Sequence, residues 1–149
     1  MDYTFGFSIK GLIIFLLPMI PNLFFFLFPK NGNAFGNADN KHVILDILEH
    51  GSQAVFVFLL IFLINRQTSL VLGPYTFSFG IALIMYFILW GFYFSGNNTL
   101  FILLGLAIIP VVYFILSEIW LHNLPAIIPT MIFGIVHTII TYIDWKKIQ

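Results

Sequence analysis

The sequence predicts an all-α fold, a bundle of five transmembrane helices with short loops and no soluble domain. Composition is the first reason. The chain of 149 residues is 60% hydrophobic and 8% charged. So small a domain cannot hide that much apolar surface from water, and lipid must be the solvent for much of it. The second reason is the spacing of the apolar runs. Residues 11–28, 43–64, 77–94, 100–120 and 124–143 form five runs, each able to cross about 30 Å of hydrocarbon at about 1.5 Å rise per residue. A third observation bears on function. Asp46, Glu49, His50 and Gln53 recur at i, i+3, i+4 and i+7 inside the second run, which places four polar groups along one helical stripe.

The first run contains Pro18 and Pro21, which each free a backbone carbonyl and bend a helix. Membranes tolerate such breaks where a neighbouring helix or water satisfies the backbone. The run is longer than the apolar core of a signal peptide, and a polar gap separates it from Gly36-Asn37-Ala38. It therefore reads as a retained span rather than a cleaved leader. A Gly- and Asn-rich loop over 29–42 follows. The second run stops at Asn65-Arg66-Gln67, and Gly73-Pro74 precedes the third. Residues 95–99 make a tight turn whose Thr99 is placed to cap the fourth run. Pro110 sits midway along that fourth run. Asn123 is placed to cap the fifth, and Pro125 opens it, where a missing N–H costs nothing. Trp90, Trp120 and the Tyr142, Trp145, Lys146, Lys147 ending fit interfacial aromatic belts. Arg66 and Glu118 close the second and fourth runs on one side, where they could pair as an ordinary anchor.

Six basic and six acidic residues cancel, so no basic patch argues for nucleic acid or an anionic surface as partner. The absence of Cys excludes disulfides, thiolate metal sites and Cys nucleophiles. With five crossings, Lys30, Lys41, Lys146 and Lys147 share one side, and Lys10 and Arg66 the other. That asymmetry puts the C-terminus in the cytoplasm and the N-terminus outside.

Depth counting links three runs. His50 lies about 10 Å in from the start of the second run at helical rise. His137 and Asn22 lie at similar depths from the same face in the fifth and first runs. The expected binding layer is therefore Asn22, Glu49, His50, Gln53 and His137, with hydroxyls from Thr138 and Thr141, while Asp46 sits nearer the surface. Ionisable groups at such depth face a partner or a wet cavity. A Glu beside His suits proton relay or binding of a small solute in a transporter, with the break at Pro21 shaping the cavity. The alternatives are a non-catalytic membrane subunit, whose polar layer holds helices together or docks a partner, and a membrane enzyme. No cofactor is expected. Glu49 and His50 stand about 100° apart on a helix and do not readily share one metal, and a haem between His50 and His137 would rest on a single pair. Five spans are few for a self-contained transporter, so a dimer or a membrane-protein partner is expected, though no small-xxx-small stripe marks an interface.

Phe133 and His137 have the Phe-x-x-x-His spacing of the glutamate-dependent intramembrane proteases that process prenylated proteins, and Glu49 would be the matching carboxylate. That family carries paired glutamates followed by Arg, where this chain has Leu48 before Glu49 and Gln53 four residues on. Pro21-Asn22 closing the first helix, Glu49-x-Gly51 entering the second and His137 late in the fifth resemble a group of small bacterial integral membrane proteins of unknown function. The resemblance covers nearly the whole chain and implies the topology but no activity. The Phe-, Ile- and Asn-rich composition fits a bacterium with an AT-rich genome, and hence a bacterial cytoplasmic membrane.

Overall fold

A helix that ends inside lipid leaves four carbonyls without intrahelical donors, and each must find a substitute. The way this chain meets that demand fixes its architecture. The computed structural model describes residues 2–27, 43–66 and 72–148. Within them the order is β1 (Tyr3–Phe5), α1 (Ile9–Leu27), α2 (Val43–Phe62), β2 (Leu63–Asn65), α3 (Pro74–Phe94), α4 (Leu100–Trp120) and α5 (Leu124–Ile148). The second apolar run was expected to stay helical through residue 64. Instead α2 stops at Phe62, and β2 pairs antiparallel with β1, Tyr3 opposite Asn65 and Phe5 opposite Leu63.

The carbonyls at that helix end are then taken one by one. Gly6 N–H donates to Phe62 O at 3.0 Å and Ser8 N–H to Ile61 O at 2.8 Å. The Asn123 side-chain amide, from the α4–α5 turn, donates to Leu59 O at 2.7 Å and Leu63 O at 3.2 Å. Asn123 was expected to cap α5 with its side chain. Its backbone carbonyl accepts from Ala126 N–H there, which leaves the amide for α2. Leu60 O remains, and Gly11 lies directly against it: a Cβ at Gly11 would stand 2.0 Å from that oxygen. Only glycine admits so close a backbone approach.

Pro18 removes the N–H that would bond Ile14 O within α1. The Tyr113 hydroxyl of α4, itself fully buried, donates to that carbonyl at 3.0 Å. The break anticipated from the proline is thus filled by a neighbouring helix.

Helices α3, α4, α5 and α2 pack side by side in that order, and α1 lies across α2, α3 and α4. Two turns reverse the chain by the same device. Asn97 N–H bonds Phe92 O at 3.1 Å past Gly96 at φ 94°, and Asn123 N–H bonds Glu118 O at 2.8 Å past His122 at φ 52°. Both are left-handed helix ends. Thr99 occupies the N-cap of α4 without a side-chain bond. The core joins Ile14, Phe56, Leu60, Tyr113, Phe114 and Phe133, with a second aromatic cluster around Tyr86, Trp90 and Tyr93. Trp90, expected in an interfacial belt, is buried and points into that cluster, within 5.9 Å of Phe25 and 5.3 Å of Tyr93 by ring centroid.

Four helices, α2 to α5, are long and apolar enough to cross a membrane, and the apolar stretch of α1, Ile9–Phe25, is shorter. Large apolar side chains such as Ile44, Phe77 and Phe101 are exposed on the outside of the bundle, as contact with lipid requires. The expected loop over 29–42, with the Lys30 and Lys41 that weigh in the orientation count, lies outside the described residues, as does Gln67.

Three outcomes follow for stability in detergent. Gly11→Ala forces α1 off the Leu60 carbonyl and lowers the melting temperature sharply. Gly51→Ala, which meets nothing within 4 Å, raises stability by about 0.5–1 kcal/mol through helix propensity. Tyr113→Phe strips a buried carbonyl of its donor and costs about 1–3 kcal/mol. Chemical or thermal unfolding followed by circular dichroism reads all three.

Candidate functional site

Helix α2 presents Glu49, Gln53, Phe56 and Leu60 at i, i+4, i+7 and i+11, one face of a helix, and that face packs against α5. Helix α5 answers with its own stripe. Asn123, Thr130 and His137 recur every seven residues, and Thr141 extends the line. Seven residues are close to two whole turns, so these polar groups share one inward face. The two stripes meet at the bond from His137 Nδ1 to Glu49 Oε1, 2.5 Å. The bond uses one nitrogen of the imidazole and one oxygen of the carboxyl, and leaves His137 Nε2 and Glu49 Oε2 outside it. The Glu49 side chain is 14% exposed and that of His137 35%, so the carboxylate is the more sheltered partner.

Around this pair lies a cavity of about 370 Å³ to which all five helices contribute. Asn22 of α1, Gln53 of α2, Tyr86 of α3 and Thr141 of α5 add polar groups, and Phe25, Phe56, Trp90, Phe114 and Phe133 supply most of the aromatic wall. Several of these polar groups are already occupied. Tyr86 OH donates to Asn22 Oδ1 at 3.3 Å, Asn22 Nδ2 reaches Pro18 O at 3.5 Å, and Thr141 Oγ1 donates to His137 O at 2.8 Å. Others are not. Glu49 Oε2 and the Gln53 amide take no hydrogen bond among the described residues, and the Trp90 Nε1 donor is buried without a partner. Among the described residues neither Lys nor Arg lines the cavity.

Four of the expected layer residues thus surround one space: Asn22, Glu49, Gln53 and His137. His50 stands apart. It is exposed, and its Nδ1 bonds Asp46 O on its own helix at 2.9 Å. Depth along an axis is the same for neighbours on a helix, but azimuth differs by about 100°, so Glu49 facing α5 turns His50 outward. Thr138 bonds Gly134 O and lines an apolar groove on the outer side of α4 and α5, whereas Thr141 belongs to the cavity. The Phe133–His137 spacing has a packing consequence. The two rings stack at 5.2 Å with 14° between planes. Among the described residues no three His, Cys, Asp or Glu side chains are grouped to hold a metal ion.

Nearer the opposite end of the bundle sits a second polar group that pattern reading missed. Glu118 is fully buried, and Thr130 Oγ1 donates to its Oε1 at 2.6 Å. Its Oε2 and the Asn123 Oδ1 have no partner. The expected Arg66–Glu118 pair does not form, because Arg66 is exposed and its Nε donates to Thr4 Oγ1 at 3.1 Å. The heptad of Asn123, Thr130 and His137 was the available signal. Between the two polar groups, Phe56 packs on Phe114 at 5.1 Å and on Phe133 at 5.4 Å, an aromatic layer with no polar atom to carry water.

Thr130→Val leaves the Glu118 carboxyl without its hydrogen-bond partner and costs about 1–3 kcal/mol. Thr138→Val, which removes only a bond to its own helix, changes stability by less than about 0.5 kcal/mol. Parallel thermal melts separate the two. No protein-family model matches the chain, and no curated protein or solved structure is significantly similar to it.

Proposed function

We propose that this is a membrane carrier that binds a small solute or proton in the cavity around Glu49 and His137 and moves it across the bilayer. The observation that carries the reading is the Glu49–His137 hydrogen bond between α2 and α5, set in a space that also keeps unspent polar groups. A carboxylate and an imidazole joined by one hydrogen bond are the groups that proton-handling sites in membrane proteins use. Membrane interiors tolerate ionisable groups at a cost of several kcal/mol.

In this reading α1 crosses together with the other four helices. Its 19 residues span about 28 Å at about 1.5 Å each, and it runs alongside α2, α3 and α4. The C-terminus, with Lys146 and Lys147, faces the cytoplasm of a bacterium, and the lipid-exposed outer faces leave room for a second copy or another membrane protein.

Glu49→Gln keeps a hydrogen-bonding group of the same size and removes the ionisable one. Reconstituted in proteoliposomes, it loses proton-linked flux down to the protein-free background while its melting temperature stays close to that of the parent. If the substitution shifts the melting temperature and flux is indistinguishable in the two proteins, the polar layer serves only to hold helices together, as in a non-catalytic subunit.

A further inference from the structure

We infer that the cavity's ligand is a protonated lipophilic amine, a small molecule with an apolar body and one N–H-bearing cationic head. This rests on reading the cavity as a ligand chamber and assigns it a substrate class. The volume of about 370 Å³ falls at the small end of the range of about 300–1,000 Å³ seen for small-molecule sites. Its walls are mainly aromatic and aliphatic, so the ligand's body must be apolar, and a sugar or other polyol would set most of its hydroxyls against apolar surface.

The head group follows from what the cavity has left to offer. Asn22, Tyr86 and Thr141 already bond one another or the backbone. Among the described residues Glu49 Oε2, the Gln53 amide and the Trp90 Nε1 donor remain unspent, and Glu49 Oε2 is the charged one of the three. A carboxylate oxygen only accepts, so the complementary group must donate, and a positive charge makes that bond strongest. An anion would face Glu49, and no Lys or Arg among the described lining residues offsets that charge. An inorganic divalent ion would find one carboxylate and one imidazole where it needs more donors. A cation with an organic body is the class that suits both halves, because aromatic faces attract the positive charge that a carboxylate also attracts.

The titratable groups that line the chamber are Glu49, His137 from α5 and Tyr86 from α3; the lining residues of α1 and α4 include none. An ammonium arriving at Glu49 competes with His137 for the same carboxylate, so binding bears directly on the hydrogen bond that joins α2 to α5.

The test uses three probes that share one phenylpropyl body: 3-phenylpropylammonium, 3-phenylpropanol and 3-phenylpropanoate. Isothermal titration of the full chain in detergent, corrected against protein-free micelles, should show the ammonium binding at least about tenfold tighter than the alcohol, with the carboxylate weakest. Glu49→Gln should bring ammonium and alcohol within about threefold, whereas His50→Gln, outside the cavity, should leave the tenfold preference in place. An alcohol that binds as well as the ammonium, or a preference that survives in Glu49→Gln, overturns the assignment. The probe series alone decides the matter on the unmodified protein if Glu49→Gln fails to fold. Transport is a separate readout. Amine selectivity without proton-linked flux keeps the ligand class and removes the carrier; flux without amine selectivity does the reverse.

Discussion

Backbone hydrogen bonding in a solvent that offers none is the constraint on which this structure depends. At the end of α2 the carbonyls of Leu59, Ile61, Phe62 and Leu63 are each given a donor by a different part of the chain: Asn123, Ser8, Gly6 and Asn123 again. Leu60 O is sealed by Gly11. One helix terminus therefore ties together the amino-terminal strand, α1 and the α4–α5 turn. Each unsatisfied group would cost several kcal/mol in hydrocarbon. The same requirement joins α1 to α4, where Tyr113 supplies the donor that Pro18 removed. Positions of helices follow from these obligations more than from apolar contact, because lipid is as good a solvent for Leu and Ile as the bundle is.

That frame is what holds α2 against α5 in the register that puts Glu49 on His137. Asn123 anchors the start of α5 to the end of α2. The two helices run antiparallel from that point, and their inner stripes descend together through Leu60, Phe56 and Phe133. The polar groups at Thr130 and His137 lie about 10 Å apart along α5 at helical rise, with Phe56, Phe114 and Phe133 between them. Two polar levels separated by a dry aromatic layer give the bundle a buried chamber on one side and a buried carboxyl, Glu118, on the other. Continuous polar passage from one to the other would require those rings to move.

Much of this was legible in the sequence, and the exceptions have physical causes. Apolar run length located α2 to α5, because a membrane span must be both long and apolar. Counting residues from one membrane face brought Asn22, Glu49 and His137 to one level, and the structure places all three around one cavity. The same count could not separate Glu49 from His50, since it measures height and not azimuth. The two short strands escaped because a pairing of 3–5 with 63–65 has no periodicity of its own; it exists to satisfy a helix end. The Arg66–Glu118 pair was inferred from charge alone. Glu118 instead found Thr130, whose place in the heptad with Asn123 and His137 marks the inner face of α5 but not the partner it meets there. Asn123 looked like an N-cap because Asn before Pro at a helix start commonly is one, yet the unmet carbonyls of α2 outcompeted that local role.

The contrast between spent and unspent hydrogen bonds separates structural polarity from a site. Asn123 and Tyr113 donate to carbonyls of other helices, and Tyr86 and Asn22 bond one another. Glu49 is different. Its Oε1 is committed to His137, its Oε2 to nothing, and Gln53 one turn deeper keeps a free amide. Glu118 also has one oxygen bonded and one without a partner, and what sets it apart from Glu49 is burial: Glu118 is wholly enclosed, while Glu49 lines the cavity between the helices. A free acceptor facing a space with aromatic walls is equipment for a visitor, and the visitor's chemistry is the complement of what the walls have not already used.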